Sequence, residues 1–192
     1  MKRVILASGS PRRKEILEMM GIEFEVMVSD KEEVVTDTDP ILVTKELSRQ
    51  KAEAVAEEIE EGIVIGSDTV VSVDGKILGK PVDKADALQM IDTLQGRSHM
   101  VYTGVTIINK GKRVVEVETF AEGTKVHVAK MTKEEMEAYC NTSEPYDKAG
   151  SYAVQGVFAK HIEGIEGDYF NVVGLPVHTL YEKLKDMIES FF

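Results

Sequence analysis

The sequence predicts a mixed α/β fold, on two observations. Strand and helix signals alternate through the first half of the chain, and the region from about His99 to Ala129 is rich in strand patterns. A long central hairpin and a largely antiparallel middle argue against an all-parallel doubly wound sheet.

The elements follow in order. Val4-Ile5-Leu6-Ala7 is a short apolar strand running straight into Ser8-Gly9-Ser10-Pro11-Arg12-Arg13. Ser10 suits a helix N-cap and Pro11 the first helical position, so a helix starts here, with Ile16, Leu17 and Met20 on one face. The start of a helix carries partial positive charge, so two arginines there are locally unfavourable. Such a turn is prepared for an anion, phosphate above all, because helix-end N–H groups and arginine forks suit its oxygens. Read alone, the same residues are a capped helix start with exposed arginines.

Phe24 to Val28 reads as a second strand. The segment from Ser29 to Asp39 holds five acids (Asp30, Glu32, Glu33, Asp37 and Asp39) and reads as a solvated loop. Asp39-Pro40 opens a helix to about Glu60, with Leu42, Leu47, Ala52, Val55 and Ile59 on its buried face and Gly62 as its stop. Ile63-Val64-Ile65-Gly66 is a short buried strand that leads through Ser67-Asp68-Thr69 into Val70-Val71-Ser72-Val73. Asp74-Gly75 is a hairpin turn and Lys76-Ile77-Leu78 the return strand. Gly79-Lys80-Pro81 breaks the pattern, and Asp83 caps a helix to about Gln95. Val101 to Ile108 and Val114 to Phe120 flank a turn at Asn109 to Lys112, and Thr124 to Val128 continues the alternation. Thr132 with Glu135 makes a capping box for a helix near Lys133 to Asn141. Ser143 to Gly174 lacks periodicity, and Pro176 to about Ser190 is a final helix. No repeat, low-complexity linker or domain boundary interrupts the chain.

Composition narrows the function. The chain has 192 residues and a net charge of −11, from 23 basic and 34 acidic side chains. That balance argues against a nucleic-acid partner, and binding a polyphosphate would require a local basic cluster, a divalent metal, or both. The single cysteine, Cys140, excludes an intrachain disulfide, fits a reducing compartment and reads as a packing residue in a helix. No apolar run approaches the roughly 20 residues needed to span a bilayer, and no signal peptide is visible, so no membrane partner and a cytoplasmic location are expected. Phe191-Phe192 reads as a docked or frayed end rather than an anchor.

Several residues carry chemistry. A carboxylate at the end of a buried strand, Asp68, is placed to hold a divalent ion or take a proton from water, and reads equally as a turn aspartate. Glu33 is a candidate second carboxylate that the five-acid loop does not single out. Lys80, in its Gly-Lys-Pro loop, can reach a phosphate as a point charge, and Lys51 sits on the long helix; alone, each reads as a surface lysine. His99 and Thr103 open a strand, where a histidine is more often structural than a ligand. The four histidines show no zinc spacing. Gln155 offers an acceptor and two donors, which can pair with an imide edge such as that of uracil or thymine, or simply with nearby backbone. Neither G-x-x-x-x-G-K-[ST] nor G-x-S-x-G is present, which removes a P-loop NTPase and one common hydrolase class.

Ser8-Gly9-Ser10-Pro11-Arg12-Arg13, Gly66-Ser67-Asp68-Thr69-Val70-Val71, Gly79-Lys80-Pro81, Arg97-Ser98-His99 through Thr103-Gly104, Asp147-Lys148-Ala149-Gly150 through Gln155-Gly156, and Asn171-Val172-Val173-Gly174-Leu175-Pro176 occur in the order found in the Maf family. The chain resembles that family over essentially its whole length. The resemblance implies a single domain over residues 1–192, elongated and two-lobed, related to the inosine triphosphatases. In it a twisted mixed sheet with flanking helices surrounds a central cleft. The resemblance also implies hydrolysis of a nucleoside triphosphate to the monophosphate and pyrophosphate, a divalent cation (magnesium or manganese) and a homodimer. Residue by residue, it implies Asp68 as general base or metal ligand, with Glu33 as the second metal carboxylate. Lys51 and Lys80 become the catalytic lysines, and Arg12 and Arg13, with Ser8 and Ser10, face the phosphates. Arg13, Thr69 and Gln155 fit the branch resembling dTTP/UTP pyrophosphatases, a housecleaning role with CTP and modified pyrimidine nucleotides as further candidate substrates. The competing readings are the same chemistry on N7-methyl-GTP or inosine triphosphate, and a non-catalytic nucleotide-binding regulator of septum formation.

Overall fold

The computed structural model describes residues 2–188. Its strands are β1 (Val4–Ala7), β2 (Glu25–Val26), β3 (Gly62–Val73), β4 (Lys76–Leu78), β5 (Ser98–Lys110), β6 (Val115–Val128) and β7 (Ile162–Glu166). Its helices are α1 (Pro11–Met19), α2 (Pro40–Glu57), α3 (Lys84–Leu94), α4 (Lys133–Cys140), α5 (Tyr169–Val173) and α6 (Val177–Leu184), with short 3-10 turns between α4 and β7. The strands form one sheet in the order β2-β1-β3-β5-β6-β7, with β4 also on β3. β1 runs parallel to β2 and β3, and the remaining pairs are antiparallel. The mixed α/β class expected from the sequence is the class observed.

Alternation along β3 sets up the two layers, because successive side chains point to opposite faces. Ile63 and Ile65 face one side, where they join Val4, Leu6, Val105 and Ile107, α1 through Ile16 and Leu17, and α6 through Leu180 and Leu184. Further along the same face, Val71, Val73, Val101 and Val126 pack on Ala87, Ile91 and Leu94 of α3 and on Tyr139, Cys140, Tyr152 and Phe158. Val64 on the other face meets Ile5, Ile108 and the Ala52, Val55, Ala56 stripe of α2, and Val70 meets Val43 and Leu47. Two glycines let α2 lie close. A Cβ on Gly66 would come within 2.8 Å of the Ala52 amide nitrogen, and one on Gly104 within 2.8 Å of that of Lys45.

One break in the sheet matters most for function. β5 covers the whole of one edge of β3. The other edge is shared: β1 pairs with it from Ile63 to Gly66, and β4 pairs from Val71 to Val73. Between them, Ser67 to Val70 face no strand on that side among the described residues. The gap lies just beyond the carboxyl end of parallel strand β1, where open α/β sheets bind their ligands.

Several boundaries differ from the sequence expectation. β2 is two residues long rather than five. Ser67-Asp68-Thr69 is not a connector, because β3 runs unbroken through it on the backbone bonds of β5. β6 likewise continues through Ala121-Glu122-Gly123. Leu42 is 49% exposed and Val43 takes its place in the core. The aperiodic stretch contains β7 and α5. α6 ends at Leu184, while Ser190 and the Phe191-Phe192 end lie outside the described residues. Cys140 is buried, and burial pushes its thiol pKa up, as suits a packing residue. Among the described residues no helix is long and apolar enough to cross a membrane.

Candidate functional site

A cleft of about 630 Å³ opens at the gap in the sheet. Its walls come from the turn after β1 (Ser8 to Arg13), from Asp68 and Thr69 in the gap, from Lys80 after β4, and from Asp147 to Gln155. Lys51 of α2 lines it as well. Nine of the ten residues singled out from the sequence therefore line one cavity, and the tenth, Glu33, lines the adjoining chamber instead. Val71, Val101, Tyr152, Val154 and Val172 add apolar lining.

Ser10 occupies the N-cap position of α1, but its side chain makes no capping bond. Pro11 has no N–H, so the early amides of Arg12 and Arg13 are the ones left for an outside acceptor. The sequence expectation of a Ser10 cap is corrected here: the helix start is uncapped and opens on the cleft, which is the arrangement that favours an anion. The capping helices elsewhere are ordinary. Asp39 accepts from the amides of Ile41 at 2.9 Å and Leu42 at 3.1 Å.

The two arginines divide the work. Arg13 is spent on the protein: Nε donates to the Gly174 carbonyl at 2.9 Å, Nη1 to Ser8 Oγ at 3.0 Å and Nη2 to Thr69 Oγ1 at 3.1 Å. Burial pushes its pKa down, opposed by the nearby Asp68 charge, and Arg12 adds a smaller downward push. Arg12 and Lys80 make no hydrogen bond or ion pair among the described residues, and both line the cleft. They are its available cations.

A relay of hydroxyls stiffens the floor. The single proton of Thr103 Oγ1 goes to the Asn171 carbonyl at 2.8 Å, so the 2.9 Å contact between Thr69 and Thr103 must be donated by Thr69. Thr69 in turn accepts from Arg13, and Ser67 Oγ donates to Gly174 at 3.1 Å. Thr69 thus serves the frame of the pocket, with its hydroxyl already committed.

Asp68 Oδ1 is ion-paired with Lys51 Nζ, and the same ammonium stands 3.3 Å from Glu33 Oε1. Of the five acids in its loop, Glu33 is the one in ion-pair contact with Lys51. That loop is strapped to α2, because Gln50 accepts from the Val34 amide at 2.9 Å and donates to its carbonyl at 2.6 Å. A side chamber of about 300 Å³, lined by Val28, Glu33, Gln50 and Lys51, shares Ser8, Gly9 and Lys51 with the main cleft.

Sequence reasoning missed Lys148, whose ammonium pairs with Asp147 at the cleft wall. The Asp147-Lys148-Ala149-Gly150 stretch stands out in the sequence as a unit, but nothing local distinguishes Lys148 from a surface lysine. Gly150 is needed where it stands: its φ is +67°, and a Cβ there would lie 2.9 Å from the Val71 side chain. Gln155 is exposed at the cleft with no partner among the described residues. Behind the wall, Tyr152 OH meets His99 Nε2 at 2.6 Å, and burial pushes the His99 pKa down to about 4, so the ring is neutral.

Fold and cleft define a mixed α/β protein whose cations, uncapped helix start and strand carboxylate converge on one open stretch of sheet edge. Comparison with known proteins narrows this class. The description for Maf-like protein matches residues 3–187, and the chain belongs to the Maf family. It is 48% identical to a dTTP/UTP pyrophosphatase of Agathobacter rectalis, covering 97% of this chain and 98% of that one. It is 50% identical to a dTTP/UTP pyrophosphatase of Bacillus cytotoxicus, covering 96% and 95%. The solved structure of the Staphylococcus aureus Ham1 protein aligns at a TM-score of 0.53, over 97% of this chain and 100% of that one. At 13% identity that likeness is one of fold.

Proposed function

We propose that the protein hydrolyses dTTP and UTP to the nucleoside monophosphate and pyrophosphate in the cleft at the sheet gap. The observation that carries this reading is Asp68 facing a cleft whose unpaired cations are Arg12 and Lys80, in a chain about half identical to dTTP/UTP pyrophosphatases.

The triphosphate lies along the uncapped start of α1. Arg12 and Lys80 take its oxygens, and Lys148, paired with Asp147, also lines the cleft. Arg13 works indirectly by fixing Ser8, Thr69 and Gly174. Asp68 takes the proton from a water that attacks the α-phosphorus in line, and pyrophosphate leaves toward the cations. Gln155 reads the imide edge of the pyrimidine, with the apolar lining of the cleft holding the base. Most of the rate acceleration then comes from positioning and charge.

The residues fit a divalent ion. Among the described residues no group of three or more potential ligands occurs, but Asp68 and Glu33 share one cation. Magnesium is commonly held by one or two carboxylates together with substrate phosphates. An ion bound there would neutralise phosphate oxygens and make a water more acidic. Within the reading, the protein works as a cytoplasmic homodimer that clears pyrimidine and modified pyrimidine nucleotides.

The test is pyrophosphate release from a panel of nucleoside triphosphates, with magnesium or manganese and with chelator, for wild type and Asp68→Asn. Metal-dependent cleavage of dTTP and UTP, abolished by Asp68→Asn, is expected. Release from N7-methyl-GTP or inosine triphosphate instead would move the substrate. Nucleotide binding without release would overturn catalysis.

A further inference from the structure

Lys51 is held where a metal would be expected. Its side chain reaches from α2 between the main cleft and the side chamber, and lines both. Its ammonium pairs with Asp68 and stands 3.3 Å from Glu33. The Lys51 side chain is 24% exposed and that of Asp68 16%, so their charges are poorly screened by water. Two carboxylates brought together this way repel one another unless a cation lies between them. Among the described residues, Lys51 is the cation in ion-pair contact with either. A lysine ammonium and a divalent ion compete for the same oxygens.

The setting also supplies a reason for Lys51 to leave. The helix that carries it is pressed against Gly66 and Gly104, so its backbone is fixed and any movement belongs to the four-carbon stem. The stem opens on a cleft that Ser10, Arg12 and Lys80 also line. A triphosphate lying there offers Lys51 oxygens of a group with a larger total negative charge than a carboxylate.

We infer that Lys51 is a built-in stand-in for the divalent ion. In the nucleotide-free protein it occupies the position between Asp68 and Glu33 and keeps free metal out. When a triphosphate enters, the ammonium transfers to phosphate, and the two carboxylates become available to the ion that accompanies the nucleotide. Binding is therefore ordered, with the metal entering with or after the nucleotide. This rests on the metal-assisted reading above.

The test measures metal binding alone, without turnover. Manganese is titrated into nucleotide-free protein and followed by electron paramagnetic resonance, for wild type, Lys51→Met and Lys51→Met combined with Asp68→Asn. Lys51→Gln repeats the experiment with a polar stem should the methionine variant fail to fold by circular dichroism. Removing the ammonium is expected to tighten manganese binding by about 5- to 150-fold, the usual range for coupling between two sites. The double variant is expected to return to wild-type affinity or weaker. Unchanged or weaker binding in Lys51→Met and Lys51→Gln overturns the inference, and so does a gain that survives Asp68→Asn. The metal-assisted reading fails separately, if pyrophosphate release by wild type is indifferent to chelator.

Discussion

The seating of α2 on two glycines ties stability to the site, and Gly66→Ala perturbs both together. A Cβ at Gly66 would lie 2.8 Å from the Ala52 amide nitrogen and 2.9 Å from its Cβ, and nearer still to the Ser48 carbonyl oxygen, whereas ordinary contact begins at 3.4 Å. These neighbours are helix backbone, which has no rotamer to move aside. The helix must therefore lift by about 1 Å, the kind of backbone shift that overpacked cores make at about 1–3 kcal/mol. For a chain of this size each kcal/mol lowers the melting temperature by about 2–4 °C, so a fall of roughly 2–12 °C is expected. Lys51 is adjacent to Ala52 and Asp68 is two residues beyond Gly66, so their ion pair is pulled apart by the same motion. A misplacement of about 1 Å can cost about 100-fold in rate. Circular dichroism melting and kcat/KM for pyrophosphate release from dTTP are the assays. Gly79→Ala, where an added Cβ meets nothing within 4 Å, is the stability control. A Gly66→Ala protein that melts and turns over like wild type would refute the close seating of α2 and its link to the site.

Other perturbations separate the roles of single residues. Lys80→Ala should change stability by less than about 0.5 kcal/mol, because the exposed side chain has no partner among the described residues, yet lower kcat about 100- to 1,000-fold, as for a lost oxyanion donor. A normal kcat would remove Lys80 from the phosphate site. Arg13→Lys replaces a fork with a point donor that cannot serve Gly174, Ser8 and Thr69 together, and should cost about 1.5–3 kcal/mol in urea unfolding. Unfolding at the wild-type midpoint would contradict the clamp. His99 gives a pH signature: burial, and then the charges of Arg97 and His127, push its pKa from 6.5 down to about 4. The unfolded chain takes up this proton near pH 6.5 and the folded chain resists until about 4, so the stability is intact above that window and lost as pH falls through it. About 2 kcal/mol should disappear between pH 7 and 5. His99→Gln should flatten that acid dependence, and an unchanged slope would show that His99 is not its source.

What the sequence made legible depended on how local the cause was. The Asp74-Gly75 turn is dictated by two adjacent residues, both with positive φ (51° and 74°), and it was readable. The capping box of Thr132 and Glu135 is equally local, and both of its bonds form. β6 was harder, because Gly123 looks like a break. It stays in the strand opposite Tyr102, and a Cβ there would lie 2.7 Å from that ring. Polar Ser67-Asp68-Thr69 looked like a connector because the pattern does not show that β5 supplies the pairing while the other edge stays open. The candidate residues were legible as motifs, but their division of labour was not. Arg12 and Arg13 are adjacent and chemically identical. Only the long-range partners of Arg13, up to 161 positions away at Gly174, tell the clamp from the free cation. Glu33 was hidden among its neighbours until the strap to α2 brought it to Lys51.

The carbonyl of Gly174 accepts from both Arg13 and Ser67, so the frame of the cleft is tied by a residue 161 and 107 positions away from its two donors. The turn after β1 and the open stretch of β3 thus share one acceptor, and that acceptor belongs to the segment just before α6. Displacing that segment would release Arg13 and Ser67 together, so the two sides of the cleft frame loosen as one unit rather than separately.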